Sequence, residues 1–296
     1  MSLPPPPAKA GEEPVDPPLA IVAGGGELPV RVWRACQAQG RPVVVLALEG
    51  QAQPELWPSE ASLTWTRLGR AGEAAVRLLD QGITHLCLAG GVRRPSLTHL
   101  LALWPDWRTA AFLARVATQA LGDDSLLRAI LRELEAHGFV IEAPHAVIGG
   151  LLAPVGVLGR VCPDDQGWRD LIHGFQVAKA LGGLDVGQGA VVQQGVVLAL
   201  EAIEGTDVML GRCASLAREG AGGVLVKAAK PRQDRRVDLP AVGVRTVENA
   251  SRAGLRGLGV EAGAALLIDT EALVARADAL GMFVVGLSGE ETPPCS

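Results

Sequence analysis

The stretch L-A-I-V-A-G-G-G-E-L-P (residues 19–29) decides the fold. A short apolar run stops at Gly24-Gly25-Gly26, and a helical pattern follows with Leu28, Val32 and Ala35 three or four residues apart. Pro29 suits the first turn of that helix, where a missing N–H is no loss. A strand thus hands over to a helix, and the pattern recurs. Pro42–Leu48 (P-V-V-V-L-A-L) reads as a second buried strand, Ala71–Gln81 as a helix, and His85–Ala89 as a strand ending at Gly90-Gly91. Uniformly apolar strands alternating with helices predict a parallel sheet covered on both faces. With a helix over Asp124–Ala136 and a strand over Phe139–Glu142, residues 19–144 are expected to form a Rossmann-like domain.

The second half has a different rhythm. Ala190–Val192 and Val196–Ala202 flank Gln193-Gln194-Gly195, a hairpin signal. A helix is expected over Asp207–Glu219 and a strand over Gly223–Val226. Beyond them come a helix near Val247–Ala253, strands near Gly257–Val260 and Ala265–Ile268, a helix over Glu271–Leu280 and a strand over Phe283–Val285. Residues 145–290 therefore read as a mixed α/β domain with an antiparallel element. The seam is expected near Pro144–Pro163, where Pro and Gly are dense. Residues 1–18, rich in Pro and bearing Lys9, Glu12, Glu13 and Asp16, read as a disordered arm.

Composition narrows the function. With 296 residues, 48% of them hydrophobic, there is material for two cores. Abundant Gly (37), no Tyr and few Phe favour close-packed α/β layers. A net charge of −5 gives no overall attraction to nucleic acid or to an anionic membrane, so an anionic ligand must meet a local basic patch. The five cysteines lack C-x-x-C spacing, which argues against a zinc site and a disulfide framework. No signal-peptide pattern opens the sequence and no apolar run has the length of a membrane span. A cytoplasmic protein is expected.

Five segments carry the candidate chemistry. Gly24-Gly25-Gly26 can approach a ligand closely at a strand's carboxyl end, or can simply make a tight turn; it is not a G-x-G-x-x-G fingerprint. Gly90-Gly91-Val92-Arg93-Arg94-Pro95 follows another strand, where an arginine can grip a phosphate or lie solvated. Gly122-Asp123-Asp124-Ser125 precedes a helix that one carboxylate would cap. Glu201 and Glu204-Gly205-Thr206-Asp207, at a strand exit, suit either a helix cap or a hard-cation site. The densest segment is K-A-A-K-P-R-Q-D-R-R-V-D-L-P (227–240), where five cations surround Asp238. Such a run is either a solvated face or a phosphate site, since cations beside a carboxylate are what phosphoryl chemistry needs. The five histidines show no paired spacing, so acid–base work falls to carboxylates.

Taken in order, I-V-A-G-G-G-E-L-P (21–29), G-G-V-R-R-P (90–95), G-D-D-S-L-L-R (122–128), L-D-V-G-Q (184–188), E-A-I-E-G-T-D (201–207) and V-K-A-A-K-P-R-Q-D-R-R-V-D-L-P (226–240) resemble one family. It is the UDP-2,3-diacylglucosamine pyrophosphatase of lipid A synthesis, in the alphaproteobacterial form unrelated to the calcineurin-like metallophosphoesterase. The likeness runs from about residue 19 to 286. It implies a Rossmann-like N-terminal domain, a C-terminal domain of its own fold, and acyl chains held between them. It further implies Mg²⁺-dependent hydrolysis (Mn²⁺ able to substitute) to UMP and 2,3-diacylglucosamine 1-phosphate, lipid X, with water attacking the sugar-side phosphorus. Carried over by position, Asp238 is the first catalytic candidate and Asp207 the second. Asp124, Glu204 and Asp207 are candidate metal ligands. Gly25, Gly26, Arg94, Lys227, Lys230, Gln233 and Arg236 are candidate substrate contacts. By its own apolar content the stretch Leu97–Ala117 reads either as plain core or as an acyl-chain surface. At most peripheral contact with the inner membrane is expected, no nucleic acid partner, and a homodimer is the assembly to test for.

Overall fold

The computed structural model describes residues 16–92 and 123–289, without the side chains of 123–126. Most of the Pro-rich arm, Arg93, Arg94 and the 97–117 stretch therefore lie outside the described residues. The chain divides into two compact units. The first holds residues up to 92 together with 138–140, and the second holds 123–137 together with 141–289. The helix read at 124–136 thus clusters with the second unit.

In the first unit β1 (Leu19–Ala23) leads into α1 (Leu28–Ala38), β2 (Val43–Leu48), β3 (Leu63–Thr66), α2 (Ala71–Asp80) and β4 (His85–Ala89). After α3 (Asp123–Ala136) comes β5 (Val140–Ile141). The sheet order is β3-β2-β1-β4-β5, and β3, β2, β1 and β4 run parallel. The order reverses between β1 and β4, which is the topological switch point of a doubly wound sheet. Leu19, Ala20, Ile21 and Cys87 are wholly buried, because a parallel sheet with helices on its faces leaves no wet side. The edge strand β3 was not legible as such. Its burial is only partial, with Thr64 and Trp65 exposed, so it lacks the apolar run that marked its neighbours.

The second unit begins with the short α4 (Pro144–Val147), β6 (Gly156–Val157) and the 19-residue α5 (Asp165–Gly183). The hairpin β7 (Gly189–Gln193) and β8 (Val196–Leu200) follows, then α6 (Thr206–Cys213) and β9 (Val224–Lys227). The chain continues through β10 (Ala241–Val242), α7 (Val244–Arg252), β11 (Gly257–Glu261), β12 (Leu266–Leu267), α8 (Thr270–Ala279) and β13 (Phe283–Leu287). Six strands form one sheet in the order β6-β13-β11-β9-β7-β8, while β10 and β12 make a separate parallel pair. The centre, β13-β11-β9, is parallel; β6 and the hairpin are antiparallel flanks.

Alternation along β9 places the two layers. Val224 and Val226 pack with Leu171 of α5, and Leu225 packs on the opposite side with Met209 and Cys213 of α6, Val247 of α7 and Leu273 of α8. Helix α5 sits close because it presents glycine: a methyl at Gly174 would lie 2.7 Å from the Val226 side chain. Asp170 on the same helix is 1% exposed. Its carboxylate accepts the amides of Gln194 (2.9 Å) and Gly195 (2.7 Å) and the Gln166 side chain. Those turn residues have φ of 53° and 75°, the pair of positive angles that a two-residue type I′ hairpin requires.

Helix α6 is shorter than the 207–219 span read from the sequence. The backbone of Arg218 and the carbonyls of Glu219 and Ala221 bind the side chains of Gln193 and Gln194, which draws the segment off the helix axis toward the hairpin. No described helix is long and apolar enough to cross a membrane.

Candidate active site

The glycines at the switch point meet each other. Gly25 N donates to Gly91 O (2.8 Å), Gly91 N donates to Gly25 O (3.0 Å), and Gly24 N donates to Ala89 O (2.8 Å). A methyl group on Gly24 would fall 2.6 Å from Gly91 O, and one on Gly90, at φ +88°, would fall 2.5 Å from Gly25 O. The two loops therefore need glycine to approach one another, whatever else they hold. Gly26 N donates to Gln53 Oε1 at 3.1 Å. In this conformation the amides of both glycine candidates for substrate contact are engaged within the unit.

In the second unit the charged side chains gather where β9 and β11 end, and where β8 leads into α6. Lys227, the last residue of β9, is 5% exposed. Its ammonium donates to Thr206 Oγ1 (2.7 Å), which donates to Glu201 Oε1 (2.8 Å). Glu201 Oε2 lies 3.8 Å from Lys227 Nζ and has no hydrogen-bond partner. The L-D-V-G-Q segment runs directly against this group, since a methyl on Gly187 would fall 1.9 Å from Glu201 O. Three of the motifs, far apart in sequence, are thus in contact.

The next residues of the loop are held in turn. Ala228 N donates to Gln188 O (3.0 Å) and Ala229 N to Glu261 Oε2 (2.7 Å). Lys230 Nζ pairs with Asp185 Oδ1 (2.8 Å), and Lys230 N donates to the buried Gln233 Oε1 (2.6 Å). Arg236 forks onto Asp234 through Nε (2.9 Å) and Nη2 (2.7 Å) and reaches Glu135 of α3 through Nη1. The Arg236 hydrogen bonds hold the Asp234 carboxyl below the usual carboxylate range, and Asp234 with Glu135 pushes the guanidinium further up. Lys227, Lys230 and Arg236 all have partners inside the fold. Among the described residues, exposed Arg232 and Arg235 are the cations of the loop with no ion pair or hydrogen bond.

The acids are less gathered than the cations. Glu204 pairs with Arg212 (2.8 Å). Its own backbone amide and then Arg212 hold its carboxyl below the ordinary value. Asp207 is exposed and takes Arg245 Nη2 and Asn249 Nδ2, each at 2.8 Å. Asp238 is half-buried, with its N–H on Asp234 O (3.1 Å). Asp124 lies in the first turn of α3, its side chain outside the described atoms. Among the described residues no three His, Cys, Asp or Glu side chains converge as a metal cluster. Mg²⁺ commonly takes one or two carboxylates and keeps waters, so exposed Asp207 and half-buried Glu204 offer the donor chemistry it uses.

Two residues of this network had no motif to announce them. Lys179 Nζ donates to both Glu261 oxygens (3.0 Å each) and to Ala229 O (2.9 Å). Lys179 sits on α5, a helix that was not read from the sequence, and Glu261 closes an apolar run whose end was read one residue earlier. A charge terminating a buried strand was the only available signal for the latter.

Comparison with known proteins gives the geometry a family. The LpxI N-terminal domain model matches residues 18–151, and the LpxI C-terminal domain model matches residues 154–285. A UDP-2,3-diacylglucosamine pyrophosphatase LpxI of Caulobacter vibrioides is 44% identical over 284 residues, covering 93% of this chain and 99% of that protein. Among solved structures, a UDP-glucose 4-epimerase of Thermus thermophilus aligns over 90% of this chain and 84% of its own at 14% identity. Its TM-score of 0.28 is too low to compare folds. With both domain models and a near full-length relative matching the chain that carries these motifs, it belongs to the LpxI family.

Proposed function

We propose that this chain hydrolyses the diphosphate of UDP-2,3-diacylglucosamine in lipid A synthesis, releasing UMP and 2,3-diacylglucosamine 1-phosphate (lipid X) in a Mg²⁺-dependent reaction. The observation that carries the reading is 44% identity to a pyrophosphatase of that name across nearly the whole of both chains. The reaction is placed on the cytoplasmic side, with at most peripheral contact with the inner membrane.

A diphosphate resists attack because its anionic oxygens repel a nucleophile. Mg²⁺, when bound, neutralises those oxygens and lowers the pKa of a bound water. Asp207, Glu204 and Asp124 are the residues proposed to hold it. Glu204 and Asp207 each carry an arginine, Arg212 and Arg245, that would have to be exchanged for the cation. The Arg245 side chain is 78% exposed, so that exchange needs no buried rearrangement. Asp238 is proposed to orient the attacking water and take its proton. Water oxygen bonds to the sugar-side phosphorus as the bond to the bridging oxygen breaks, and UMP leaves with that oxygen. Asp238 follows the loop from Lys227 to Arg236, whose Lys227, Lys230 and Arg236 are held by partners within the fold. Those partners keep the cations in place before substrate arrives, which is the preorganisation that electrostatic catalysis relies on.

The test is release of UMP from UDP-2,3-diacylglucosamine by purified protein, with and without EDTA and with Mg²⁺ or Mn²⁺ restored. Water labelled with ¹⁸O should leave its label on lipid X. Full activity in chelator would remove the metal from the reading. Equal kcat/KM on UDP-N-acetylglucosamine would return it to a general nucleotide-sugar pyrophosphatase, and absence of turnover would leave a binding protein.

A further inference from the structure

We propose that Lys179 and Glu261 are a positioning pair that fixes the Ala229 peptide, and through it the course of the basic loop. The two residues lie 82 apart in sequence, one on α5 and one at the end of β11. Between them they hold both polar groups of Ala229: Glu261 Oε2 accepts its N–H at 2.7 Å, and Lys179 Nζ donates to its carbonyl at 2.9 Å. The N–H belongs to the peptide before Ala229 and the carbonyl to the peptide after it. Two consecutive peptide planes are thereby set, and with them the direction in which Lys230 leaves the chain beyond the end of β9. Ala229 itself is 2% exposed, and Gly182 on α5 lies against Lys230, where a methyl would be 3.1 Å from its Cα.

Neither residue is free to act on a ligand directly. Three acceptors, two on Glu261 and one on Ala229, match the three protons of the Lys179 ammonium. The side chains are 31% and 14% exposed, so the pair is partly desolvated. A partly buried ion pair is a poor way to gain stability, since an apolar pair of the same size would do as well or better. What it supplies is a single orientation for the peptide it holds.

The kinetic part of this proposal rests on the pyrophosphatase reading; the structural part does not. Glu261→Gln is nearly isosteric, but its amide N–H must face either Lys179 or the Ala229 N–H, donor against donor. Assayed well below each variant's unfolding midpoint, Glu261→Gln should lower kcat/KM about tenfold to a hundredfold. Lys179→Met combined with Glu261→Gln should recover to within about threefold of wild type, because the carboxamide alone can accept from Ala229 N–H and donate to Ala229 C=O. Hydrogen exchange on the ligand-free protein gives the second readout. Peptides covering 227–238 should exchange faster in Glu261→Gln than in wild type and slow again in the double variant, while the 189–200 hairpin is unchanged. Wild-type kcat/KM in Glu261→Gln, a double variant no better than the single, or unchanged exchange at 227–238 would each overturn the proposal. Should the wild-type protein release no UMP, the functional reading falls and the exchange result alone decides the clamp.

Discussion

Replacing Lys227 by Met should cost the second unit stability before it costs catalysis. Lys227 is 5% exposed with its ammonium 3.8 Å from Glu201 Oε2, and Glu201 is itself 7% exposed. At an effective dielectric constant of about 20, two unit charges at that spacing attract by about 4 kcal/mol. Met preserves most of the side-chain volume, so cavity terms are small. What is lost is the partner of a buried carboxylate, which then has only the Thr206 hydroxyl. Breaking such a pair from one side typically costs about 3–5 kcal/mol. For a unit of this size each kcal/mol moves the midpoint by about 2–4 °C, so the transition should fall by roughly 6–20 °C. Scanning calorimetry suits the measurement because two units can give two transitions, and only that of the second should move. Adding Glu201→Gln should return about half of the loss or more, since the carboxamide still accepts from Thr206 and no charge is stranded. A midpoint within about 2 °C of wild type for Lys227→Met, or a double variant that loses the sum of the singles, would refute the pairing.

Three further outcomes are expected. Asp238→Ala should abolish UMP release, a fall of about 10² to 10⁴ in kcat, with the unfolding midpoint nearly unchanged; near-normal turnover would remove Asp238 from the chemistry. Gly187→Ala puts a methyl 1.9 Å from Glu201 O, so the motif loops must part, with a loss of more than about 2 kcal/mol and impaired turnover; a variant as stable as wild type would contradict the contact. Asp234→Asn should lower stability by about 1–2 kcal/mol at pH 7. The Asp234 carboxyl is held low by Arg236, so its contribution is present above the unfolded value of about 3.9 and lost as pH falls through the folded one. Denaturant midpoints of the two proteins should therefore draw together as pH falls below the unfolded value; a gap that stays constant on acidification would point to lost packing instead.

The parallel strands were legible because burial on both faces leaves an unbroken apolar run, as in V-V-V-L-A-L at 43–48. The hairpin was legible from Gln194-Gly195, a pair that tolerates the required turn. Helix α5, the longest among the described residues, was not. Its buried positions include Gly167, Gly174 and Gly182, which contribute no apolar period, and Asp170, which reads as surface. Glycine was chosen there for the closeness of the sheet, and Asp170 for a turn 24 residues away. The site divides in the same way. Motif loops could be found by local composition, yet the partners of Lys227, Lys230 and Ala229 come from 26, 45 and 32 residues away. Gly24 to Gly26 looked like a ligand cradle, and their amides face Ala89, Gly91 and Gln53. Pairing over such distances is set by topology, which no window of sequence contains.

The pairing of the basic loop also bears on how a charged molecule reaches it. Among the described residues, Lys179, Lys227 and Lys230 each pair with a carboxylate, and Arg236 stands beside two. With Asp238, that second carboxylate offsets unpaired Arg232 and Arg235. At about one Debye length the described charges of this part of the second unit sum close to neutral, and they project little attractive field into solution. Encounter with an anionic head group should then proceed at the unsteered rate, about 10⁵–10⁶ M⁻¹s⁻¹, and change little between roughly 20 and 200 mM salt. Stopped-flow binding across that range would show the slope; a steep fall with salt would mean that charge outside the described residues does the steering.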